Sequence, residues 1–263
     1  MKEYDKYLKL LKDKYPTKQS VYRELINLNA IMNLPKGTEH FMSDLHGEYD
    51  AFYHIINNCS GVIREKVAML YGDELTVYEQ QELCTLIYYP REKLSILMDE
   101  NKVNDEWYRN VLNQLIQIAK LLSSKYTRSK VRKAMPVDFA YIIDELIHAQ
   151  KDEDDNRSVY HRQIMETILS LHNGDEFLVA LTDLIKRLAV DHLHILGDIY
   201  DRGAHADKIL DLLMEHHSVD IQWGNHDILW MGDFFAAIRC VWHLWSGIIL
   251  STKLCQFLRM VME

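Results

Sequence analysis

Leu193-His194-Ile195-Leu196-Gly197-Asp198-Ile199-Tyr200-Asp201-Arg202-Gly203 is the stretch on which the reading of this chain turns. Its first four residues read as a short strand, and Gly197-Asp198 follow directly at the strand's end. A helix is expected from about Ala206 to His216. A second strand, Val219-Asp220-Ile221-Gln222-Trp223, then delivers Gly224-Asn225-His226-Asp227. Strand, helix, strand, with polar residues gathered at the carboxyl ends, is the site geometry of an open α/β sheet. Far upstream, His40-Phe41-Met42 is a third short apolar strand. It runs into Ser43-Asp44-Leu45-His46-Gly47, and a helix from Glu48 to Asn57 follows.

The three strand ends carry a donor set for hard-to-borderline divalent cations. Asp44 and His46 are two apart, so an extended chain puts both on one face. Asp198 stands where one carboxylate could bridge two ions held roughly 3.5–4 Å apart. Asn225 offers a neutral oxygen. Asp44, His46, Asp198 and Asn225 are therefore the candidate metal ligands. His226, the neighbour of Asn225, points elsewhere and suits contact with a phosphate or leaving-group oxygen, with Asp201 orienting and charging it. Arg202 suits bidentate capture of a phosphate. Taken singly, each motif reads as a polar surface loop. In series they point to phosphoester chemistry.

The rest of the chain reads as helix. Helices are expected from Met1 to about Leu34, interrupted at Pro16 and ended by Pro35-Lys36-Gly37. From about Gly61 to Ala189 the apolar spacing is helical throughout, as in Trp107, Val111, Leu115, Ile118 and Leu122. Thr76-Val77-Tyr78-Glu79 is a capping-box sequence. Gly174 separates two helices. The charged run from Lys151 to Asn156 is a solvated turn; it lacks the central Gly and terminal Glu of a calcium loop. His192 and His194 read as strand-surface residues rather than ligands. His216-His217 ends a helix, where the dipole favours His. Trp223, Trp230, Trp242 and Trp245 read as core.

Composition fits a soluble intracellular enzyme. The chain has 263 residues, 48% hydrophobic and 26% charged, which is ordinary for a globular protein. A net charge of -9 argues against a nucleic-acid partner, which needs a basic surface. It does not exclude a small phosphorylated substrate, because bound cations invert the local field. Cys59, Cys84, Cys240 and Cys255 show no paired spacing and read as reduced cytosolic thiols. The polar start, Met1-Lys2-Glu3-Tyr4-Asp5, has no signal-peptide apolar region. The expected location is the cytoplasm.

The motif set resembles the metal-binding half of calcineurin-like metallophosphoesterases. That superfamily includes protein serine/threonine phosphatases, dinucleotide polyphosphate hydrolases and sugar bisphosphatases. The spacing narrows the choice, since Asp44 and Asp198 lie about 150 positions apart, where compact phosphatases need a few tens. Phe41 to Phe52 (FMSDLHGEYDAF) and Gln222 to Gly232 (QWGNHDILWMG) are similar to class 3 fructose-1,6-bisphosphatase of Firmicute-type bacteria. The likeness runs from roughly Met1 to Gly232. It implies hydrolysis of fructose 1,6-bisphosphate, two manganese ions and a gluconeogenic role. A protein serine/threonine or dinucleotide polyphosphate phosphatase is the alternative within the same chemistry, and an inactive fragment is the alternative outside it.

The expected fold is α/β, an incomplete metallophosphoesterase sandwich with a large all-helical insertion. Residues 1–60 hold N-terminal helices and the first βα unit. Residues 61–190 form the insertion, which carries no metal ligand. Residues 191–232 complete the phosphoesterase part, and 233–263 are a divergent apolar tail. The resemblance implies further histidine ligands beyond the Gly-Asn-His-Asp motif, yet His243 is the only His after His226. Little or no phosphatase activity is therefore expected of the isolated chain. The tail from Phe234 to Leu250 is expected to pack as a helix on exposed core. Arg239 and His243 interrupt it, and it is shorter than the ~20 residues of a membrane span. No membrane or nucleic-acid partner is expected; an oligomer is compatible with the sequence.

Overall fold

The computed structural model describes residues 2–149 and 155–236. Three short strands, β1 (Glu39–Met42), β2 (His192–Ile195) and β3 (Val219–Ile221), form one sheet in the order β1-β2-β3. All pairings are parallel, with Phe41 opposite His194 and His194 opposite Asp220. The chain is thus α/β and mostly helical. Among the described residues there is this one sheet, so a two-sheet sandwich goes beyond what they display.

Parallel neighbours require crossovers. The β2–β3 crossover is the single helix Ala206–Glu215, whereas the β1–β2 crossover contains every helix from Tyr49–Asn58 to Gly174–Ala189. The sequence between Gly61 and Ala189 adds no strand to the sheet among the described residues. The helix Asp105–Ser123 shows why. Val111, Leu115, Ile118 and Leu122 recur on one face and are all buried. They pack with Phe177, Leu181, Leu184 and Leu188 of the helix Gly174–Ala189 in one large apolar core. The capping box holds: the Glu79 amide donates to Thr76 Oγ1 at 3.3 Å, and the Thr76 amide donates to Glu79 Oε2 at 2.8 Å.

A second, smaller core sits under the sheet, built from Leu45, Phe52, Leu193, Ile195, Ile199, Ile209 and Leu213. Alternation along β2 explains it. Leu193 and Ile195 are buried against the helices, and His192 and His194 face the other way. One sheet face is thus packed against helices, and the other carries Phe41, His192, His194 and Asp220, with no helix over it among the described residues.

Several sequence expectations need correction or fall outside the description. The N-terminal helices form (Lys2–Lys14 and Lys18–Met32), and Thr17 and Ser20 make a reciprocal cap. Yet no residue of Lys18–Met32 is buried. Trp223 is not core: it is 60% exposed, while Trp230 stacks on Tyr200. His216 ends the helix Ala206–Glu215, as read. Burial first, then His217, pushes its pKa down to about 4. Cys59 and Cys84 are free thiols, as read. Of the run from Lys151 to Asn156 read as a turn, Asp155 and Asn156 instead open the helix Asp155–Ser170, while Lys151 to Asp154, Trp242, Trp245, Cys240, Cys255 and the tail beyond Ala236 lie outside the described residues. No described helix is long and apolar enough to cross a membrane.

Candidate functional site

The three motif loops leave the carboxyl ends of the three strands and lie against one another. The Asp44 amide donates to the Gly197 carbonyl, the His46 amide to the Asp198 carbonyl at 2.8 Å, and the Gly47 amide to the Ile199 carbonyl at 2.8 Å. These bonds extend the β1–β2 pairing into the loops. Two glycine contacts allow it. Gly47 and Gly203 meet backbone to backbone, as do Gly197 and Gly224, and a Cβ on any of them would overlap the opposite chain. Gly197 also has φ +95°, a conformation that L side chains rarely adopt.

Asp227 clasps the second and third loops. Its Oδ2 accepts from the amides of Asp198 (2.8 Å) and Gly224 (2.9 Å). Its Oδ1 accepts from Ile199 (2.9 Å) and Tyr200 (3.1 Å). The side chain is buried, at 5% exposure. A buried carboxylate must be hydrogen-bonded, and four backbone donors meet that need. Sequence reading gave Asp227 no role. Its one available signal was its place in the Gly-Asn-His-Asp motif beside two candidate residues.

The backbone at the site is strained. Asp44, His46, Asp198, Asp201 and Arg202 all have positive φ, between 47° and 102°. Five of the seven candidate residues thus hold a conformation uncommon outside glycine. Such strain persists only where surrounding structure enforces it, and it clusters at active sites.

The side chains are brought together in part. His46 Nε2 lies 3.6 Å from Asp44 Oδ1, with Asp44 65% exposed and His46 half-buried. His46 Nδ1 is buried without a hydrogen-bond partner. The His46 and His226 rings meet edge to face at 5.9 Å. The His226 amide donates to Asp198 Oδ1 at 3.2 Å. His226 Nδ1 stands 3.6 Å from Asp201 Oδ2, an ion-pair separation rather than a hydrogen bond. Arg202 Nε is 3.4 Å from the same oxygen, and its side chain is 73% exposed, open to an incoming anion. Asn225 opens the helix Asn225–Ala236 and is exposed. Asp44, His46 and Asp198 are not drawn into a closed set. Among the described residues the His/Asp trio whose ligand atoms lie within 4.8 Å of one another is His192, His194 and Asp220.

Does this site fit a metal? The candidate donors at the strand ends are two carboxylates, an imidazole and an amide oxygen, a set suited to a hard-to-borderline divalent cation. A buried imidazole nitrogen without a partner points the same way, since buried polar atoms in folded chains are almost always satisfied. The residues fit.

Residues 6–247 match the family model described as Firmicute fructose-1,6-bisphosphatase. The chain belongs to this family. The match passes Gly232, where sequence reading placed the end of the likeness. Among curated relatives, the fructose-1,6-bisphosphatase class 3 of Listeria monocytogenes serotype 4b (strain CLIP80459) is 55% identical over 233 residues, 88% of this chain and 36% of the relative. Fructose-1,6-bisphosphatase class 3 1 of Clostridium beijerinckii is 52% identical over 251 residues, 92% of this chain and 38% of the relative. That of Clostridium acetobutylicum is 53% identical over 241 residues, 92% and 36% respectively. The chain of this Firmicute fructose-1,6-bisphosphatase family member thus spans little more than a third of the relatives it matches. No solved structure matches it.

Proposed function

We propose that this chain carries the cation- and phosphate-binding loops of a fructose-1,6-bisphosphatase, which removes one phosphate from the sugar bisphosphate by hydrolysis. The observation that carries the reading is the clasp: Asp227 ties the Asp198 loop to the Gly224 loop, at the carboxyl ends of a parallel sheet where α/β enzymes bind ligands. Family membership supplies the substrate class.

Asp44, His46, Asp198 and Asn225 would hold two divalent cations, manganese by preference. Such ions supply Lewis-acid polarisation and an activated water when bound. The chain's own residues do the rest. Arg202 extends into solvent and binds the phosphate oxygens. Asp201, with its side chain 10% exposed, holds Arg202 and His226 on one carboxylate oxygen. His226 carries the proton that the leaving alkoxide takes up. The three strands form one sheet of a phosphoesterase sandwich, and the helices of residues 61–190 are an insertion that shapes the substrate side or a subunit contact. The setting is cytoplasmic.

Manganese stoichiometry tests this reading, on the wild-type chain and on Asp44→Asn and Asp198→Asn. Both substitutions should abolish specific manganese uptake. Uptake unchanged in both would overturn the ligand assignment. A panel of fructose 1,6-bisphosphate, a phosphoserine peptide and a dinucleoside polyphosphate then reads phosphate release. Preference for either of the latter two would move the substrate to a phosphoprotein or dinucleotide. Metal bound with no release from any of them would mark a metal-binding part without turnover of its own.

A further inference from the structure

We propose a second cation site, distinct from the strand-end loops, formed by His192, His194 and Asp220 on the sheet face opposite Leu193 and Ile195, and selective for a borderline divalent ion of the zinc type. The three ligand atoms lie within 4.8 Å of one another. Their convergence follows from the register. His192 and His194 are two apart on β2 and share a face, and Asp220 is the β3 residue directly beside His194.

The two imidazoles are half-buried and the Asp220 carboxylate is exposed to solvent. His192 Nε2 stands 2.8 Å from Asp220 Oδ2, and His194 Nδ1 stands 3.5 Å from the same oxygen. The two imidazole rings are 4.4 Å apart. The other nitrogen of His192 is 2.6 Å from Ser218 Oγ. An outer partner on the far nitrogen is the arrangement that fixes the ring and tautomer of a ligating His. His194 is held from its other side by Phe41, whose ring stacks on it at 4.4 Å and 14°. Glu39 is in register with His192 on the neighbouring strand and adds a carboxylate to the same face.

Two imidazoles and one carboxylate form the three-ligand set of open zinc sites, with a fourth position left for water. Imidazole-rich donors favour zinc over manganese. Without metal, His192 Nε2 and Asp220 Oδ2 contact each other at 2.8 Å, so an ion must take the place of that contact. Bound there, the ion would link β2 to β3. Those strands deliver Asp198 and Asn225, and His194 lies four residues, about 13 Å of extended chain, before Asp198. The ion would therefore fix the spacing of the two loops without touching substrate. This site stands or falls independently of the phosphatase reading.

The test is zinc binding to the whole chain, with zinc chloride alone as the probe. In a background carrying Asp44→Asn and Asp198→Asn, one equivalent of zinc should remain. Adding His194→Gln or Asp220→Asn should remove it, or weaken it by more than the ~10–100-fold that even outer-shell changes cost. X-ray absorption on the wild-type chain at one equivalent of zinc provides a readout that needs no variant to fold. The sheet site gives two imidazoles per ion, and the strand-end set gives one. No zinc bound in the background, or zinc retained in both added variants, would overturn the site, and a single imidazole per ion at one equivalent would overturn its preference for zinc over the strand-end set.

Discussion

Replacing Asp227 with Asn changes one heavy atom and should loosen the site. The carboxylate accepts four backbone N–H groups, two on each oxygen. An amide of the same shape keeps one acceptor oxygen and turns an NH2 toward the other two donors. Two hydrogen bonds to a charged acceptor are lost, each worth about 1.5–3 kcal/mol, and donor faces donor in their place. The low end of that sum, about 3 kcal/mol, corresponds to roughly a hundredfold rise in the open population, at 1.4 kcal/mol per tenfold. The opening should be local, because the large helical core is built from other residues. Amide hydrogen exchange reads it directly. The amides of Asp198, Ile199, Tyr200 and Gly224 should exchange about a hundred times faster in Asp227→Asn, and those of Leu115 and Ile118 at the wild-type rate. Manganese affinity should fall with them. Unchanged exchange at those four amides would refute the clasp, and equal acceleration throughout the chain would show that Asp227 supports the global fold instead.

Three further outcomes are expected. In an active protein carrying these loops, His226→Ala should lower turnover about 10²–10⁴-fold while metal content measured on the purified variant stays at the wild-type value; equal loss of both would make His226 a ligand or a structural residue. His216 is held below its ordinary pKa, at about 4, chiefly by burial. The unfolded chain therefore takes up the proton first, and this contribution to stability, full above about pH 6.5, should drain away as pH falls toward 4; urea melts of His216→Asn should be flatter across that window than wild type. Thr76→Ala removes one cap of the helix Val77–Tyr88 and should cost about 1 kcal/mol by urea denaturation, with no change in metal binding.

Much of this protein is legible residue by residue. Helical periodicity from Val111 to Leu122, the Thr76–Glu79 capping box and the strand before Asp198 all rest on spacings of two to four residues, and local spacing is what a sequence displays. The strained turns are also local in origin. Gly47 and Gly197 mark two of them, although nothing in the sequence announces a positive φ at Asp44, Asp198 or Asp201.

What the sequence alone determined is the alternation of elements, and the delivery of Asp44, His46, Asp198, Asn225 and His226 to the ends of strands. These follow from hydrophobic period and from the residue types at each end. Only the tertiary structure decided which groups meet. Asp227 reaches the amides of Asp198 to Tyr200 because the second and third loops come together where Gly197 and Gly224 allow backbone contact. His192 and His194 became partners of Asp220 because β2 and β3 pair in one register and no other. A shift of that register by one residue would put Asp220 on the opposite face. Likewise, among the described residues, Trp223 is exposed and no residue of Lys18–Met32 is fully buried, because apolarity states only a preference for burial, and the neighbours that would satisfy it are set by long-range packing.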